Sequence, residues 1–389
     1  MALTSLRTVK AAARAALQVR RKRAQLDHWV TPRVIFLYVT NRCNLSCSHC
    51  FYAEELNNAG KPELTLEQIE RIMGSLRHPL EMIDLTGGEP FLRSDLPQVV
   101  EAVSRINKPG RIIVNTNGLQ SDKIEAAAID MLARTPGQKL QVAVSIDGAA
   151  EDHNRIRKNR YSFDAAFKLL RALRALAARE PRLTIRINTA VSMQNVDSLV
   201  EVFERCIAEA GFAPTIQIVR GASNSVFNPP ALLANSHFDP SPEDLVKGAA
   251  DVDHIQAKLE ALIGHFRATG RESIGIRTQQ KVRYQLETLK YGSKRVDCVA
   301  GKYDGIIYED GAVAFCENLK TFAHLRDYDY DFHRLWTAVR TRELQSTLRC
   351  HCIHTCNLST SMGHDYGTQL VIARALSEKK DPLCEPLRA

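Results

Sequence analysis

The 389-residue chain lacks the long apolar runs that mark membrane-spanning and secreted proteins. Its strongest apolar run, Val34–Val39, is the size of one β-strand, whereas a membrane-spanning helix needs roughly 20 apolar residues. The basic N-terminus is not followed by a long apolar segment, so we expect no secretory signal. Hydrophobic residues form 44% of the chain and charged residues 25%, which excludes general disorder. The length predicts a main domain with an appendage.

Positive charge is concentrated at one end. Lys and Arg number 52 against 44 acidic residues, and residues 1–26 hold seven of the bases and no acid, which leaves 45 bases against 44 acids elsewhere. A general nucleic-acid surface is therefore not indicated. Apolar residues at helical spacing predict a basic amphipathic helix within residues 1–30. This helix either makes weak contact with anionic lipid at the inner membrane face or packs on the rest of the protein.

Ten cysteines are distributed in two groups. Cys43, Cys47 and Cys50 lie close together near the start, six cysteines follow residue 297, and Cys206 stands alone. Without a secretion signal, we expect a cytoplasmic protein whose thiols stay reduced. Clustered free thiols indicate metal or iron–sulfur ligation.

Strand-like and helix-like segments alternate through the middle of the chain. This alternation predicts βα units around a parallel sheet, either open or closed into a partial barrel, with the chemistry at the carboxyl ends of the strands. Thr65 and Gln68 form a capping box that predicts the start of the first helix. The expected strands are 33–39, 82–86, 111–115, 140–146, 183–191 and 215–219, and the expected helices are 65–77, 95–106, 121–134, 163–179 and 196–210.

Beyond Val219 the pattern changes. Residues 221–242 are rich in Asn, Pro and Ser, which predicts an irregular segment. We expect a helix from Pro242 to Ala268 with Ser241 as its cap, and a last helix from Phe332 to Leu348. Asp310-Gly311 between two short apolar segments predicts a hairpin of strands 306–308 and 312–315.

The first strand leads directly into Cys43-Asn-Leu-Ser-Cys47-Ser-His-Cys50. Three thiolates within eight residues suit one small cluster, and a [4Fe–4S] cube held by three ligands keeps one iron open. An open metal position indicates chemistry rather than structure alone. A zinc loop is the alternative.

This C-x3-C-x2-C loop resembles the signature of the radical S-adenosylmethionine (SAM) superfamily. Four further motifs over residues 33–220 follow in the order of that family: Gly87-Gly88-Glu89-Pro90, Asn115-Thr116-Asn117-Gly118, Ser145-Ile146-Asp147-Gly148 and Asp152-His153-Asn154-Arg155-Ile156-Arg157. The resemblance implies an α/β fold, a (β/α)6 partial TIM-type barrel over residues 31–220. It also implies reductive cleavage of SAM to a 5′-deoxyadenosyl radical, which abstracts a hydrogen atom from the substrate.

The resemblance also implies roles for individual residues. Cys43, Cys47 and Cys50 would hold the catalytic [4Fe–4S] cluster with its open iron. A flavodoxin- or ferredoxin-type reductant would supply electrons. Arg157, Asn188 and Arg220 are also candidates for contact with substrate. The residues expected to bind SAM are His49, Gly87, Gly88, Glu89, Asn117, Ser145, Asp147, Arg157 and Asn188.

The second cysteine group begins with a spacing that resembles the first part of the SPASM and twitch auxiliary-cluster motifs. The matching residues are Cys298, Gly311 and Cys316. The later cysteines depart from the full SPASM pattern, and six thiolates are too few for two four-cysteine clusters. The resemblance therefore implies one auxiliary [4Fe–4S] cluster in a C-terminal twitch/SPASM-like domain, residues 270–389, after an irregular insertion and linking helix, residues 221–269. Zinc and a second auxiliary cluster are the alternatives. The expected ligands are Cys298, Cys316, Cys350 or Cys352, and Cys356.

The sequence does not identify the substrate. We expect oxidation or crosslinking of a peptide, a small molecule or a glycolipid precursor. The alternative is redox-neutral epimerisation with a cysteine as hydrogen-atom donor, for which Cys384, or whichever of Cys350 and Cys352 is not a ligand, is the candidate. A non-catalytic iron–sulfur electron carrier is the alternative from a different class.

Overall fold

The computed structural model describes residues 6–26, 28, 30–221, 226–234, 242–271 and 274–388. A six-stranded parallel sheet forms its centre, as the alternating pattern predicted. Within these residues, no helix has the length and apolar character to cross a membrane. The strands are β1 Val34–Thr40, β2 Met82–Gly87, β3 Ile112–Thr116, β4 Leu140–Ser145, β5 Leu183–Val191, β6 Thr215–Ile218, β7 Val226–Phe227, β8 Asp304–Ile307, β9 Ala312–Ala314, β10 Ala323–His324 and β11 His351–Cys352.

Helices cover the outer face of the sheet and form the (β/α)6 partial barrel expected from the sequence. The capping box predicted at Thr65 and Gln68 is present at the start of α2. The helices are α1 Leu6–Leu26, α2 Leu66–Gly74, α3 Leu96–Asn107, α4 Ser121–Arg134, α5 Ala150–Arg157, α6 Ser162–Ala177, α7 Leu199–Ala210, α8 Ala249–Ala268, α9 Ile276–Tyr291, α10 Phe332–Thr337, α11 Val339–Ser346, α12 Thr355–Gly363 and α13 Tyr366–Glu378.

The C-terminal hairpin extends the central sheet. The strand order is β10-β9-β8-β1-β2-β3-β4-β5-β6. β8 runs parallel to β1, with Val34 opposite Asp304, and β9 pairs antiparallel with β8. Gly311 has φ +92°, which suits the predicted hairpin turn. The C-terminal cysteines are thereby attached to the strand that leads into the first cysteine loop.

Successive side chains along the strands point alternately to the hydrophobic core under the helices and to the interior of the barrel. In β5, Ile185 and Ile187 are buried in the hydrophobic core, while Arg186 and Asn188 are only partly buried and line cavities inside the barrel. Successive side chains of a strand point to opposite faces. The sheet therefore presents polar residues to the interior while its apolar residues pack under the helices.

The basic N-terminal helix packs on the protein. α1 lies against α13, with Val19 buried and the Arg23 guanidinium 5.7 Å from the centre of the Tyr366 ring. Residues 1–5 lie outside the described residues. Burial of Val19 and the contact with α13 show that the described part of the helix has a protein surface as its partner.

Three helical expectations need correction. The helix expected from Pro242 begins at Ala249, and its expected cap, Ser241, lies outside the described residues. The helix expected over 332–348 is two helices, because Ala338 takes an extended ψ of 144° between them. Two further helices, α12 and α13, follow; Asp365 caps α13 by accepting a hydrogen bond from the Thr368 amide.

Candidate functional site

The carboxyl ends of the parallel strands surround a cavity of about 260 Å³, which we call the upper cavity. Loops that follow parallel strands meet at one edge of the sheet, so motifs far apart in sequence converge there. The structure brings most of the sequence-predicted residues to this cavity. Those that line it are Cys43, Cys47, His49, Cys50, Gly87, Gly88, Asn117, Ser145, Asp147, Arg157, Asn188, Arg220 and Cys356.

Hydrogen bonds fix the shape of the cysteine loop. The Cys43 amide donates to Oδ1 of Asn57 at 2.9 Å, and the Asn57 side-chain amide donates to the Cys43 carbonyl at 3.1 Å. Asn57 has φ +57°, a conformation that Asn tolerates better than most residues. The Ser48 amide donates to the Ile156 carbonyl at 2.9 Å, which ties the loop to α5. Asn57 carries no motif and was missed in the sequence.

The three loop thiols share a buried environment. Burial, with a smaller contribution from the neighbouring thiols, raises the pKa of Cys43 to about 11 and that of Cys50 to about 12. Burial also raises the pKa of Cys47. The thiols are thus protonated at neutral pH until a metal centre replaces their protons, as metal ligation by cysteine requires.

One cation lies beside the cysteine loop. Nη1 of Arg157 is 3.6 Å from Sγ of Cys47, and Arg157 also forms a buried ion pair with Asp147. Burial would raise the pKa of Asp147, but Arg157, with smaller contributions from two histidines, holds it below its ordinary value. Arg157 therefore stays charged and lowers the free energy of a thiolate at Cys47.

Four buried side-chain nitrogens of residues that line the upper cavity have no hydrogen-bond partner in the described part of the chain. They are Nδ1 of His49, Nε of Arg157, Nε of Arg186 and Nη1 of Arg220. Buried polar atoms are rarely left unpaired in a complete site. Three thiols, a fixed cation and these unpaired atoms fit a sulfur-ligated cluster with a polar ligand beside it.

The two glycines of the GGEP motif lie against the chain itself. A Cβ atom on Gly87 would be 2.2 Å from the Thr40 carbonyl oxygen, and one on Gly88 would be 2.2 Å from that of Arg42. The Gly88 amide donates to the Thr40 carbonyl at 2.9 Å. Both glycines were expected to bind SAM. The atoms nearest to the added Cβ atoms belong to the backbone at and just after the end of β1. They therefore also hold the start of the cysteine loop against β2.

Glu89 does not line the upper cavity. Its carboxylate accepts hydrogen bonds from the Asn117 amide at 2.7 Å and from the Thr116 hydroxyl at 3.0 Å. Burial raises its pKa to about 7. Glu89 thus connects the GGEP turn to the end of β3 and positions Asn117 at the cavity.

The C-terminal cysteines separate into a group of four and two outliers. Burial raises the pKa of Cys316, and Cys352, Cys298 and Cys350 raise it further because their thiols lie nearby. The Asn318 amide donates to Sγ of Cys316 at 3.4 Å, and the His354 amide donates to Sγ of Cys352 at 3.4 Å. N–H···S contacts of this kind surround iron–sulfur clusters and tune them. Across the described ranges, no three His, Cys, Asp or Glu side chains gather tightly around a single point.

The two outliers are Cys356 and Cys384. Cys356, at the start of α12, lines the upper cavity with the loop cysteines. Cys384 is exposed on a short helical turn, and the charges that affect its pKa are those of Glu260 and Arg267 on α8. The structure therefore does not bring Cys384 to the upper cavity.

Glu317 joins the two cysteine groups, and the sequence gave no motif for it. This buried carboxylate accepts hydrogen bonds from the Tyr38 hydroxyl at 2.6 Å and from Arg220 at 2.8 Å, and Nε2 of His354 lies at 2.7 Å. The Arg220 guanidinium also lies 4.3 Å from the centre of the Phe51 ring, next to Cys50. A contact network thus runs from the first cysteine loop to the residue after Cys316.

Comparison with known proteins finds a family match within the first part of the chain. Residues 37–206 match the family model of the radical SAM superfamily. Fe-coproporphyrin III synthase of Methanosarcina barkeri is 30% identical over 172 residues, 44% of this chain and 40% of that protein. Sporulation killing factor maturation protein SkfB of Bacillus subtilis is 30% identical over 179 residues, 45% of this chain and 39% of that protein. The chain thus spans about two fifths of the length of these relatives.

A solved structure shares the fold over a longer range. Streptococcus suis SuiB bound to the precursor peptide SuiA superposes with a TM-score of 0.57 at 16% identity. The match covers 83% of this chain and 69% of SuiB.

Proposed function

Because residues 37–206 belong to the radical SAM superfamily, we propose that the upper cavity holds a [4Fe–4S] cluster on Cys43, Cys47 and Cys50, with SAM beside it. The observation that carries this proposal is the convergence of the three thiols and eight of the nine expected SAM-binding residues on one cavity. When bound and reduced by one electron, these groups supply a 5′-deoxyadenosyl radical that removes a hydrogen atom from an unactivated carbon.

The chain's own residues bind and shield these groups. Arg157 would stabilise the Cys47 thiolate. His49, whose Nδ1 has no hydrogen-bond partner among the described residues, lines the space proposed for SAM. Asn117 and Ser145, at strand ends, present polar side chains to the same space. Exclusion of water from this cavity when the groups are bound would protect a reactive radical from side reactions.

A second cluster is part of the proposal. Cys298, Cys316, Cys350 and Cys352 would hold one auxiliary [4Fe–4S] cluster in a twitch/SPASM-like region, and Cys356 would not be a ligand. The network through Glu317 and Arg220 connects this cluster to the upper cavity. The auxiliary cluster would accept the electron when the substrate is oxidised or crosslinked.

The proposed substrate is a peptide or a small molecule. Similar proteins support both classes: the structural neighbour SuiB binds a precursor peptide, and one relative is an Fe-coproporphyrin III synthase. A flavodoxin- or ferredoxin-type protein would supply the electron in the cytoplasm. Membrane contact is not part of the proposal, because α1 packs against α13.

Redox-neutral epimerisation would need a thiol beside the substrate. One sequence candidate, Cys384, is exposed and does not line the upper cavity. The other candidate, whichever of Cys350 and Cys352 is not a ligand, does not line it either, so we do not propose this reaction. Cys356 is the thiol of the second group that lines the cavity. A reaction in D2O tests this alternative. Solvent deuterium in the substrate recovered from the wild type, and its absence from the substrate recovered from Cys356→Ser, would indicate epimerisation instead.

Iron and sulfide content after anaerobic reconstitution tests the proposal. The wild type should bind about eight irons, and a variant with Cys43, Cys47 and Cys50 replaced by Ala should bind about four. Cys206→Ala is the matched control, since this cysteine lies in the hydrophobic core and should leave the iron content unchanged. Equal iron in the wild type and the triple variant would overturn the assignment.

A further inference from the structure

A second cavity, of about 410 Å³, lies inside the barrel, and we call it the lower cavity. It extends toward the amino ends of the strands, where Val34, Met82 and Thr215 line it. The two cavities meet in the middle of the barrel. The residues that line both are Phe36, Asp84, Arg186, Asn188, Gln217, Thr355 and Cys356. The two cavities are therefore neighbours that share a wall inside the barrel.

Positive side chains predominate in the lower cavity. Its two carboxylates already accept hydrogen bonds from neutral groups: Glu81 from the Tyr303 hydroxyl and Asp84 from the Asn115 amide. Its cations outnumber these carboxylates by five to two. The cations are Lys22, Arg111, Arg186, Arg277 and Lys281.

Lys281 is the most deeply buried of these cations. It lies on α9, it is only 5% exposed, and it makes no hydrogen bond or ion pair with any residue that the structure describes. Burial lowers its pKa to about 8, while Cys356 acts in the opposite direction. A buried ammonium without a counter-ion is costly, so a ligand that supplies one would be strongly favoured.

Arg186 faces the same space from the opposite wall. Its Nε is buried without a hydrogen-bond partner among the described residues, and no carboxylate there lies within ion-pair distance. The nearby Asp84 carboxyl has its pKa raised to about 6 by burial, although Arg186 lowers it. Two cations from separate elements, Lys281 of α9 and Arg186 of β5, thus line one cavity without a counter-ion among the described residues.

We propose that the lower cavity binds an anionic group of the substrate, a carboxylate or a phosphate, with Lys281 and Arg186 as its counter-ions. The identification of the occupant as the substrate rests on the proposed function. The binding of an anion does not, because it needs neither cluster chemistry nor SAM. The anion would anchor the substrate so that the rest of the molecule lies in the upper cavity, where hydrogen abstraction takes place.

Calorimetric titration of the reconstituted protein with inorganic pyrophosphate and, separately, with glutarate tests the proposal in the absence of SAM. The wild type should bind at least one of the two, and the tighter probe identifies the group as phosphate or carboxylate. Lys281→Met should weaken that binding at least tenfold, since charge-assisted hydrogen bonds contribute that much. Lys281→Arg, which keeps the charge, should restore most of it. Lys123→Met, on the exposed face of α4, is the matched control and should bind as the wild type does.

A merely structural lysine would behave differently. Lys281→Met removes an unpaired buried charge, so the melting temperature should not fall. Binding of neither probe to the wild type, or binding to Lys281→Met within twofold of the wild type, would overturn the proposal. The production of 5′-deoxyadenosine by the wild type is measured separately. If the wild type binds the anion through Lys281 but does not cleave SAM, the proposed function is refuted and the anion site is retained.

Discussion

Arg220 and Glu317 form a buried ion pair, with Nη2 of Arg220 2.8 Å from Oε2 of Glu317. Arg220 follows the last strand of the barrel, and Glu317 follows the second ligand candidate of the auxiliary group. Burial alone would raise the pKa of Glu317, but Arg220 and His354 hold it well below its ordinary value. The pair therefore stays ionised and joins the barrel to the C-terminal region at the wall of the upper cavity.

Glu317→Gln should destabilise the protein by about 3 kcal/mol or more, because it leaves the buried Arg220 guanidinium without its counter-ion. Chemical denaturation of reconstituted wild type and variant measures this loss. Glu101→Gln breaks an exposed ion pair with Arg134 and is the matched control, with an expected loss below about 1 kcal/mol. Equal losses in the two variants would mean that the Arg220–Glu317 pair does not hold the two regions together.

Cys352→Ser should lower the iron content from about eight to about four, whereas Cys356→Ser should leave it unchanged. The reason is that Cys352 lies with Cys316 and Cys298, while Cys356 lines the upper cavity. Iron and sulfide analysis of both variants decides between the two cysteines. Loss of iron in Cys356→Ser together with retention in Cys352→Ser would restore the ligand set expected from the sequence.

Gly88→Ala should disrupt the first cysteine loop, because the new Cβ would lie 2.2 Å from the Arg42 carbonyl oxygen. We expect about four fewer irons and loss of SAM cleavage. Gly264→Ala, on α8, is the control: no atom lies within 4 Å of its added Cβ, and alanine should stabilise that helix by up to about 1 kcal/mol. Wild-type iron content in Gly88→Ala would show that the loop forms without this close contact.

Because of Asp304, the free energy of unfolding should fall as the pH rises. It lies in β8 and accepts hydrogen bonds from Asn357 at 2.9 Å and Thr360 at 2.8 Å, and burial raises its pKa to about 7. The folded protein therefore keeps a proton that the unfolded chain releases near its ordinary pKa of 3.8, and this stabilisation is lost as the pH rises through about 7. The slope is at most about 1.4 kcal/mol per pH unit.

Denaturation between pH 6 and pH 8 measures this effect. Asp304→Asn should reduce the slope and should raise stability at pH 8 relative to the wild type, because no carboxylate then has to ionise in the core. The same slope in wild type and Asp304→Asn would mean that Asp304 does not hold the proton.

The sequence predicted the elements whose signals are local. The βα alternation, the capping box at Thr65 and the hairpin turn at Gly311 depend on residues within one segment, and the structure confirms all three. The cysteine loop and the strand-end motifs were also predictable, because parallel strands place their carboxyl ends together.

The features that the sequence did not predict depend on contacts between distant segments. Pairing of β1 with β8 joins Val34 to Asp304, and no local pattern specifies that register. Cys352 and Cys356 differ by one helical turn in sequence, yet α12 begins between them and carries Cys356 to the upper cavity. Glu317 was missed because its partners come from three separate elements.

SAM cleavage by the anaerobically reconstituted protein under dithionite is the most direct test of the proposed function. We expect the wild type to form 5′-deoxyadenosine and methionine in equal amounts, and the variant with Cys43, Cys47 and Cys50 replaced by Ala to form neither. Absence of 5′-deoxyadenosine from the wild type with its full iron content, or equal amounts from both proteins, would contradict it.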